Sequence, residues 1–378
     1  MTNESPEPQS SAPVANAPAA REIRRSLLPR FGLRTALIFA VVFCLLMAWL
    51  GRNFVRLREE EAAIETLKQA GATIYIRSGD GVQNHPATPY FAEEPDWDRV
   101  PSFTSRILGW SGRAPVRQVD LSPGDSDPEQ FERALATLAQ FPELEALGLG
   151  GPEVTDATLK SLPELPGLKT LALTESSVTA QGLANARPSS RLRELSLFRE
   201  GRPADAIAGA ASLPELRWVQ LVDMPVSRAD LSVVASMPKL DTLRLIAVRP
   251  SEPDAYAPLA EANRLRELTI QRGLFGDADV ASIAELPSLR RLWFDHNDLS
   301  DDGLARLGSL KRLRSLGVSE PVTQDAARAF AEAHPKVNVT HRSGDAMRYF
   351  RGSDEISLAL ATKLNEAAAA APDGAEAP

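Results

Sequence analysis

The sequence predicts an α/β solenoid, a curved parallel sheet inside with helices outside, preceded by one transmembrane helix. Three observations predict it. A leucine pattern returns about every 24 residues, each unit changes from strand-like to helical spacing halfway along, and residues 35–51 carry no charge. The pattern reads LEALGL from Leu144, LKTLAL from Leu168, LRELSL from Leu192 and LRWVQL from Leu216. It continues as LDTLRL from Leu240, LRELTI from Leu265, LRRLWF from Leu289 and LRSLGV from Leu313. The seven spacings are 24, 24, 24, 24, 25, 24 and 24; a longer unit at Val116 precedes by 28 and a worn one at Val337 follows by 24. Repetition at this period marks units too small to bury an apolar face alone, which stack on their neighbours instead.

Within a unit, numbered from its first leucine, apolar side chains at positions 1, 4 and 6 suit a short strand entered through a bend. The second half is spaced for a helix. In VTDATLKSLPEL, Leu159 and Leu162 lie three apart, Thr155 or Asp156 can cap the start, and Pro163 ends the helix. LSDDGLARLGSL and VTQDAARAFAEAHP repeat the design, and Asp127, Pro128 and Gln130 stand at cap, N1 and N3 of the first long unit. Burying three large apolar side chains per unit contributes on the order of 5 kcal/mol before entropy costs.

At these residues the chain resembles the leucine-rich repeat family, over residues 116–340, about 60% of its length. The best match is LRRLWFDHNDLSDDGLARLGSL, whose Asn297 stands where the family's asparagine bonds backbone in the turn. Pro152, Ser176, Glu200, Met224 and Val248 hold that place in other units, so the resemblance implies an asparagine ladder that is mostly absent. The units at Leu192 and Leu240 are expected to be irregular on the convex side. The TD-x-x-L and DDGL starts look like the helix-backed subclass, and the whole arrangement looks like single-pass bacterial proteins of the family.

The anchor stands on its own residues. Residues 1–34 read as a disordered, basic cytoplasmic tail: a Pro-, Ala- and Ser-rich stretch, then Arg21, Arg24, Arg25, Arg30 and Arg34. TALIFAVVFCLLMAWLG at 35–51 is at the short end of what spans a bilayer. A cleavable signal peptide or a buried helix would be the alternatives, but the long leading region and the lack of a clean small-x-small site favour an uncleaved anchor. The arginines before the segment favour a cytoplasmic N-terminus, with the repeats outside the inner membrane.

Residues 52–115 then read as a juxtamembrane helix closed by Gly71, a short strand in ATIYIR, and a cap for the solenoid holding Tyr90, Phe91, Trp97, Phe103 and Trp110. Residues 341–378 read as a covering helix and a disordered tail. Cys44, the sole cysteine, lies in the anchor, so the expected exported part has no disulfide. His85, His296, His334 and His341 have no metal-ligand spacing, GLGG at Gly148 opens no phosphate-binding helix, and no nucleophile–base set is evident. No cofactor, metal or catalysis is expected. Residues 1–58 carry +5, leaving −13 for the rest of a chain of net charge −8, which argues against nucleic-acid binding.

Two surfaces are candidates for function. Lys169, Arg193, Arg217, Arg266, Arg290 and Arg314 share position 2, interrupted by Asp241 and preceded by Glu145. This basic rail suits an anionic polymer. It also complements the helix C-termini, opposite Asp156, Asp230, Asp277, Asp301 and Asp325 near the N-termini, and the structural account is preferred. Positions 3, 5 and 7 should point out of the concave sheet, with small residues at both ends and large ones between. The expected ligand-binding residues are Phe198, Trp218, Gln220, Arg244, Ile246, Gln271, Arg291, Trp293 and Asp295, with Trp218, Arg244 and Trp293 exposed on one surface. The competing reading is that Trp218 and Trp293 fold down and shield the sheet. The function expected is a membrane-anchored, non-enzymatic module recognising a protein or peptide. A structural envelope scaffold or a polysaccharide or anionic-polymer binder are the alternatives.

Overall fold

The structure, a computed structural model, describes residues 33–76, 116–122, 128–186, 191–199, 203–344, 346–358 and 360–364. The expected basic tail, the aromatic cap residues and the acidic C-terminal tail lie outside these. The chain divides into two compact units, Met1–Arg52 and Asn53–Pro378.

In the first unit the described residues form the opening of helix α1 (Leu33–Gln69). This helix is long and apolar enough to cross a membrane. Its side chains from Leu37 to Trp49 are exposed, Leu37, Phe39 and Leu45 each with more than half of their surface open. Helical structure continues without a break from the apolar stretch into the charged one, because no Gly-Pro or turn sequence intervenes before Gly71, which adopts a φ of 76°.

In the second unit a single 13-stranded sheet follows chain order. Its strands are β1 (Thr73–Ile76), β2 (Val116–Leu121), β3 (Ala146–Gly150), β4 (Thr170–Thr174), β5 (Glu194–Phe198) and β6 (Trp218–Val222). They continue as β8 (Thr242–Ile246), β10 (Glu267–Gln271), β11 (Arg291–Asp295), β12 (Ser315–Ser319), β13 (Asn338–Ser343), β14 (Ala346–Arg351) and β15 (Asp354–Ile356). Strands β7 (Pro225–Val226) and β9 (Arg249–Pro250) pair separately. From β2 to β13 every pairing is parallel and in repeat register, for example Leu268 beside Leu292 and Leu292 beside Leu316. The position-4 and position-6 leucines form one continuous core; Leu292 is 1% exposed.

Helices α2 (Pro128–Thr137), α3 (Asp156–Ser161), α4 (Ala180–Asn185), α5 (Pro203–Ala210), α6 (Arg228–Ser236), α7 (Asp301–Arg306) and α8 (Gln324–Ala333) return the chain between strands. Two units depart from this. The unit at Leu240 carries a 3-10 turn at Ala257–Glu261 and the next one a shorter turn at Val280–Ser282. The unit at Leu192 has a regular helix, α5, among its described residues.

The helix starts are bonded from unit to unit. Asp156 accepts from the backbone N–H and hydroxyl of Thr179, the N-cap of α4, both at 2.7 Å. Asp277 accepts from both groups of Ser300, and Asp301 from both groups of Thr323, which cap α7 and α8. An aspartate near one helix start thereby fixes the capping residue of the next, a role beyond the dipole complement its position suggests. The Ser300 hydroxyl holds the Asp277 carboxyl below the usual carboxylate range.

The turn after each strand is held without an asparagine ladder. Asn297 does bond backbone: its Oδ1 accepts from Gly273 N and Phe275 N, and its Nδ2 donates to the Ile270 carbonyl. Elsewhere Met224 and Val248 bury an apolar side chain at that place. The shared device lies one residue earlier. Glu175, Arg199, Asp223, Ala247, Arg272 and His296 all take φ near 50°. Each left-handed non-glycine residue costs about 1–2 kcal/mol. The first five return a backbone bond to the next strand, such as Glu175 N to Phe198 O at 2.9 Å and Ala247 N to Gln271 O at 2.7 Å, and His296 N finds the Ser319 hydroxyl.

The sheet ends differ from one another. At its start β1 pairs antiparallel with β2, and Ala63, Ile64 and Leu67 of α1, with Ala70 just after it, join the core. At its far end β13, β14 and β15 form an antiparallel meander, with Phe350 fully buried. Residues 353–356, read from sequence as the start of a helix, belong to this meander, and the described helical residues that follow are 358 and 360–364. The alternating residues of AMRYFR pair along β13, which satisfies backbone groups that a covering helix would leave bare.

Candidate recognition surface on the open face of the sheet

Positions 3, 5 and 7 do project from the face opposite the helices, in three rows across the sheet. The first row runs Glu194, Trp218, Thr242, Glu267, Arg291; the middle row Ser196, Gln220, Arg244, Thr269, Trp293, Gly317; the third Phe198, Val222, Ile246, Gln271, Asp295, Ser319. The nine expected residues thus share one face. The rows are not equally open. Phe198, Trp218, Ile246, Gln271, Arg291 and Trp293 are half-buried, whereas Gln220, Arg244 and Asp295 are buried, at 3%, 5% and 5% exposed.

Arg244 therefore departs from the expectation of an exposed side chain. The physical reason is row spacing. Neighbouring strands stand about 4.8 Å apart, so a middle-row side chain is walled by its row partners and by the flanking rows. Ser196 and Thr269 are buried by the same walls.

Trp293 lies down, as the shielding reading expects. A methyl group built on Gly317 would fall 2.1 Å from Trp293 Cε3, so the indole occupies the space that any larger residue at 317 would need. Asp120 repeats this at the other end, its Oδ1 lying where a Gly148 methyl would stand. Burial pushes the Asp120 carboxyl up to about 6, against a smaller opposing pull from the Gln118 amide that bonds it at 3.2 Å.

The rows also differ in how their polar groups are satisfied. Towards β13, Asp295 Oδ2 accepts from Arg342 Nη1 at 3.0 Å and from Gln271 Nε2 at 3.2 Å, while its Oδ1, 3.0 Å from His296 Nδ1, makes no hydrogen bond among the described residues. Arg291 is paired with Glu267. In the centre, Ser196 Oγ, Gln220 Oε1, and Arg244 Nε and Nη1 are buried with no partner among the described residues. Burial lowers the pKa of Arg244, Glu267 opposes that shift, and Arg291 adds to it. A buried guanidinium without a bonded anion is costly, so the centre of this face is the least satisfied part of the sheet.

Sequence reasoning passed over Ser196 and Arg342. Ser196 occupies position 5 of its unit and could have been found by completing the row. Arg342 lies in β13, where the worn unit gives no leucine register to place it.

The basic rail is partly neutralised by its own interruptions. Glu145 pairs with Lys169 at 3.0 Å and with Arg117, and Asp241 with Arg217 at 3.8 Å. Among the described residues no three His, Cys, Asp or Glu side chains gather in a way that could hold a metal ion.

No family model matches the chain, and no curated protein matches it. Among solved structures it is similar to an internalin from Listeria monocytogenes, with 19% identity over 58% of this chain and 71% of that one and a TM-score of 0.37. It is similar to human 5T4, or trophoblast glycoprotein, with 18% identity, 48% and 72% coverage and a TM-score of 0.34. It is also similar to a plant peptide hormone receptor in complex with RGF2, with 14% identity, 55% and 34% coverage and a TM-score of 0.31. All three are leucine-rich repeat proteins. This chain's own 24-residue period and its in-register parallel strands give it the architecture of a leucine-rich repeat solenoid.

Proposed function

We propose that the protein is a membrane-anchored, non-enzymatic recognition module that binds a protein or peptide on the open face of its sheet. The observation that carries this reading is the central trio Ser196, Gln220 and Arg244, whose polar atoms lack protein partners while the half-buried Phe198 and Trp218 stand beside them. Polar groups of this kind surrounded by aromatic area are what an interface core supplies. The ion pair of Asp295 Oδ2 with Arg342 favours a second reading for that part alone, as structural sheet. The pairing of the rail with Glu145 and Asp241 weighs against an anionic-polymer track.

In this reading α1 anchors the chain in the cell membrane with its N-terminus in the cytoplasm, and the repeats face the envelope outside. A reporter active only outside the cytoplasm should be active when fused after Pro378 and silent when fused before Arg21; the reverse result removes the orientation. Binding is tested with a photo-crosslinking amino acid placed at Trp218 or, on the helix side, at Lys160. A discrete adduct from position 218 in intact cells, absent from position 160, is expected. Equal labelling from both positions contradicts the recognition site.

A further inference from the structure

The centre of the open face has a charge that nothing bonded to it balances. Arg244 is 5% exposed and makes no hydrogen bond or ion pair with any described residue. The nearest carboxylate that acts on it, Glu267, is already held by Arg291. Its row neighbours are neutral: Gln220 on one side with an unbonded Oε1, then Ser196 with an unbonded Oγ.

Taking the reading of this face as a binding surface as its starting point, we infer that it holds an extended acidic peptide segment, one carboxylate of which pairs with Arg244 above the neutral Gln220 and Ser196. The chemistry follows from what each group lacks. A lone guanidinium flanked by an amide and a hydroxyl suits a single negative charge; a polyanion or phosphate dianion would want a second unpaired cation, and Arg291 is spent on Glu267. Gln220 Oε1 and Ser196 Oγ are closed to solvent, so they form a neutral floor that offers no competing charge beside the guanidinium. Ser196, Gln220 and Arg244 sit on consecutive strands, so the row covers about 10 Å, the length of roughly three residues of extended chain. A segment crossing the strands in this direction would lie against Trp218 along its flank.

The test uses the full chain in detergent micelles and three pools of fluorescent hexapeptides of Ala, Leu, Phe and Ser read by polarisation. The first pool carries one internal Glu with blocked ends, the second Gln in its place, and the third Gln with a free C-terminal carboxylate. The Glu pool, or the free-carboxylate pool if the anion is a chain end, should bind at least tenfold more tightly than the blocked Gln pool. Arg244→Gln should abolish that preference, and Arg244→Lys, which keeps the charge without the planar fork, should weaken it by less. The exposed Arg266→Gln should leave it intact. Melts of each variant separate lost binding from lost folding. Equal binding of all three pools, or an acid preference surviving Arg244→Gln in a folded protein, overturns the inference. If a position-218 adduct still forms in cells under either result, recognition by this face stands and only the carboxylate anchor falls.

Discussion

The two sides of the repeat differ in how completely their polar groups are spent. On the helix side, Asp156, Asp277 and Asp301 each saturate the capping residue of the following unit, so successive helices are tied by the same bonds. On the open face the third row is bonded at Asp295, towards β13, whereas the middle row carries unbonded polar atoms at Ser196, Gln220 and Arg244. A repeat gives every unit the same backbone frame; on the open face Thr170–Glu194, Glu267–Arg291 and Gln271–Asp295 also bond from unit to unit, but Ser196, Gln220 and Arg244 do not. Residues whose bonds recur at the repeat period serve the scaffold. Those that are buried, polar and without a recurring partner are candidates for another purpose.

This contrast can be broken in several ways. The largest expected effect lies in the core that both sides share. Leu292→Asp would strand a charge among position-4 leucines and should cost about 3–5 kcal/mol in chemical denaturation, enough to unfold neighbouring units. An unchanged denaturation midpoint would show that the register is wrong.

The two sides should respond to pH in opposite senses. Asp120, on the open face, has a folded pKa raised to about 6, so the folded state holds the proton more tightly than the unfolded chain. Stability should fall as pH rises from about 4 to 6, by up to about 3 kcal/mol, and Asp120→Asn should remove that slope. Asp277, on the helix side, is held low by Ser300, so its contribution is present above the unfolded pKa and is lost as pH falls. Urea midpoints measured between pH 3 and 7 for Asp120→Asn and Asp277→Asn against the parent chain would show the two slopes, and slopes of one sign would contradict the assignment.

A smaller effect is expected where Trp293 lies on Gly317. Gly317→Ala should cost about 1–3 kcal/mol by overpacking, and in a double-mutant cycle Trp293→Ala should relieve most of that penalty. Additive losses would mean the indole does not rest there. On the helix side, Asp301→Ala removes the acceptor for both Thr323 groups and should cost about 1 kcal/mol in a thermal melt. A value near zero would make the unit-to-unit capping bonds ornamental.

Much of this was legible in the sequence. The leucine period fixes the parallel register, and Thr155, Ser300 and Thr323 announce their helix starts because capping depends on local residue types. Which residues share the open face also follows from position number. Burial along that face does not, since whether Arg244 is walled in depends on the side chains that the adjacent strands bring beside it from other units. The bond from Asp301 to Thr323 joins residues 22 apart that belong to different units, and no local pattern marks such a pair. The meander at β14 and β15 was hidden for another reason: SDEISLALATK satisfies helical spacing, and only the free edge of β14 favours its first residues as a strand.

The central claim is that the middle of the open face is polar for a reason other than folding, and the denaturant midpoint of Arg244→Met tests it most directly. Methionine keeps much of the stem volume and removes a buried, unbonded charge. The account predicts a stability unchanged or raised by up to about 1 kcal/mol. A loss of more than about 1 kcal/mol, comparable with Asp301→Ala, would place Arg244 among the scaffold residues and contradict the division between the two sides.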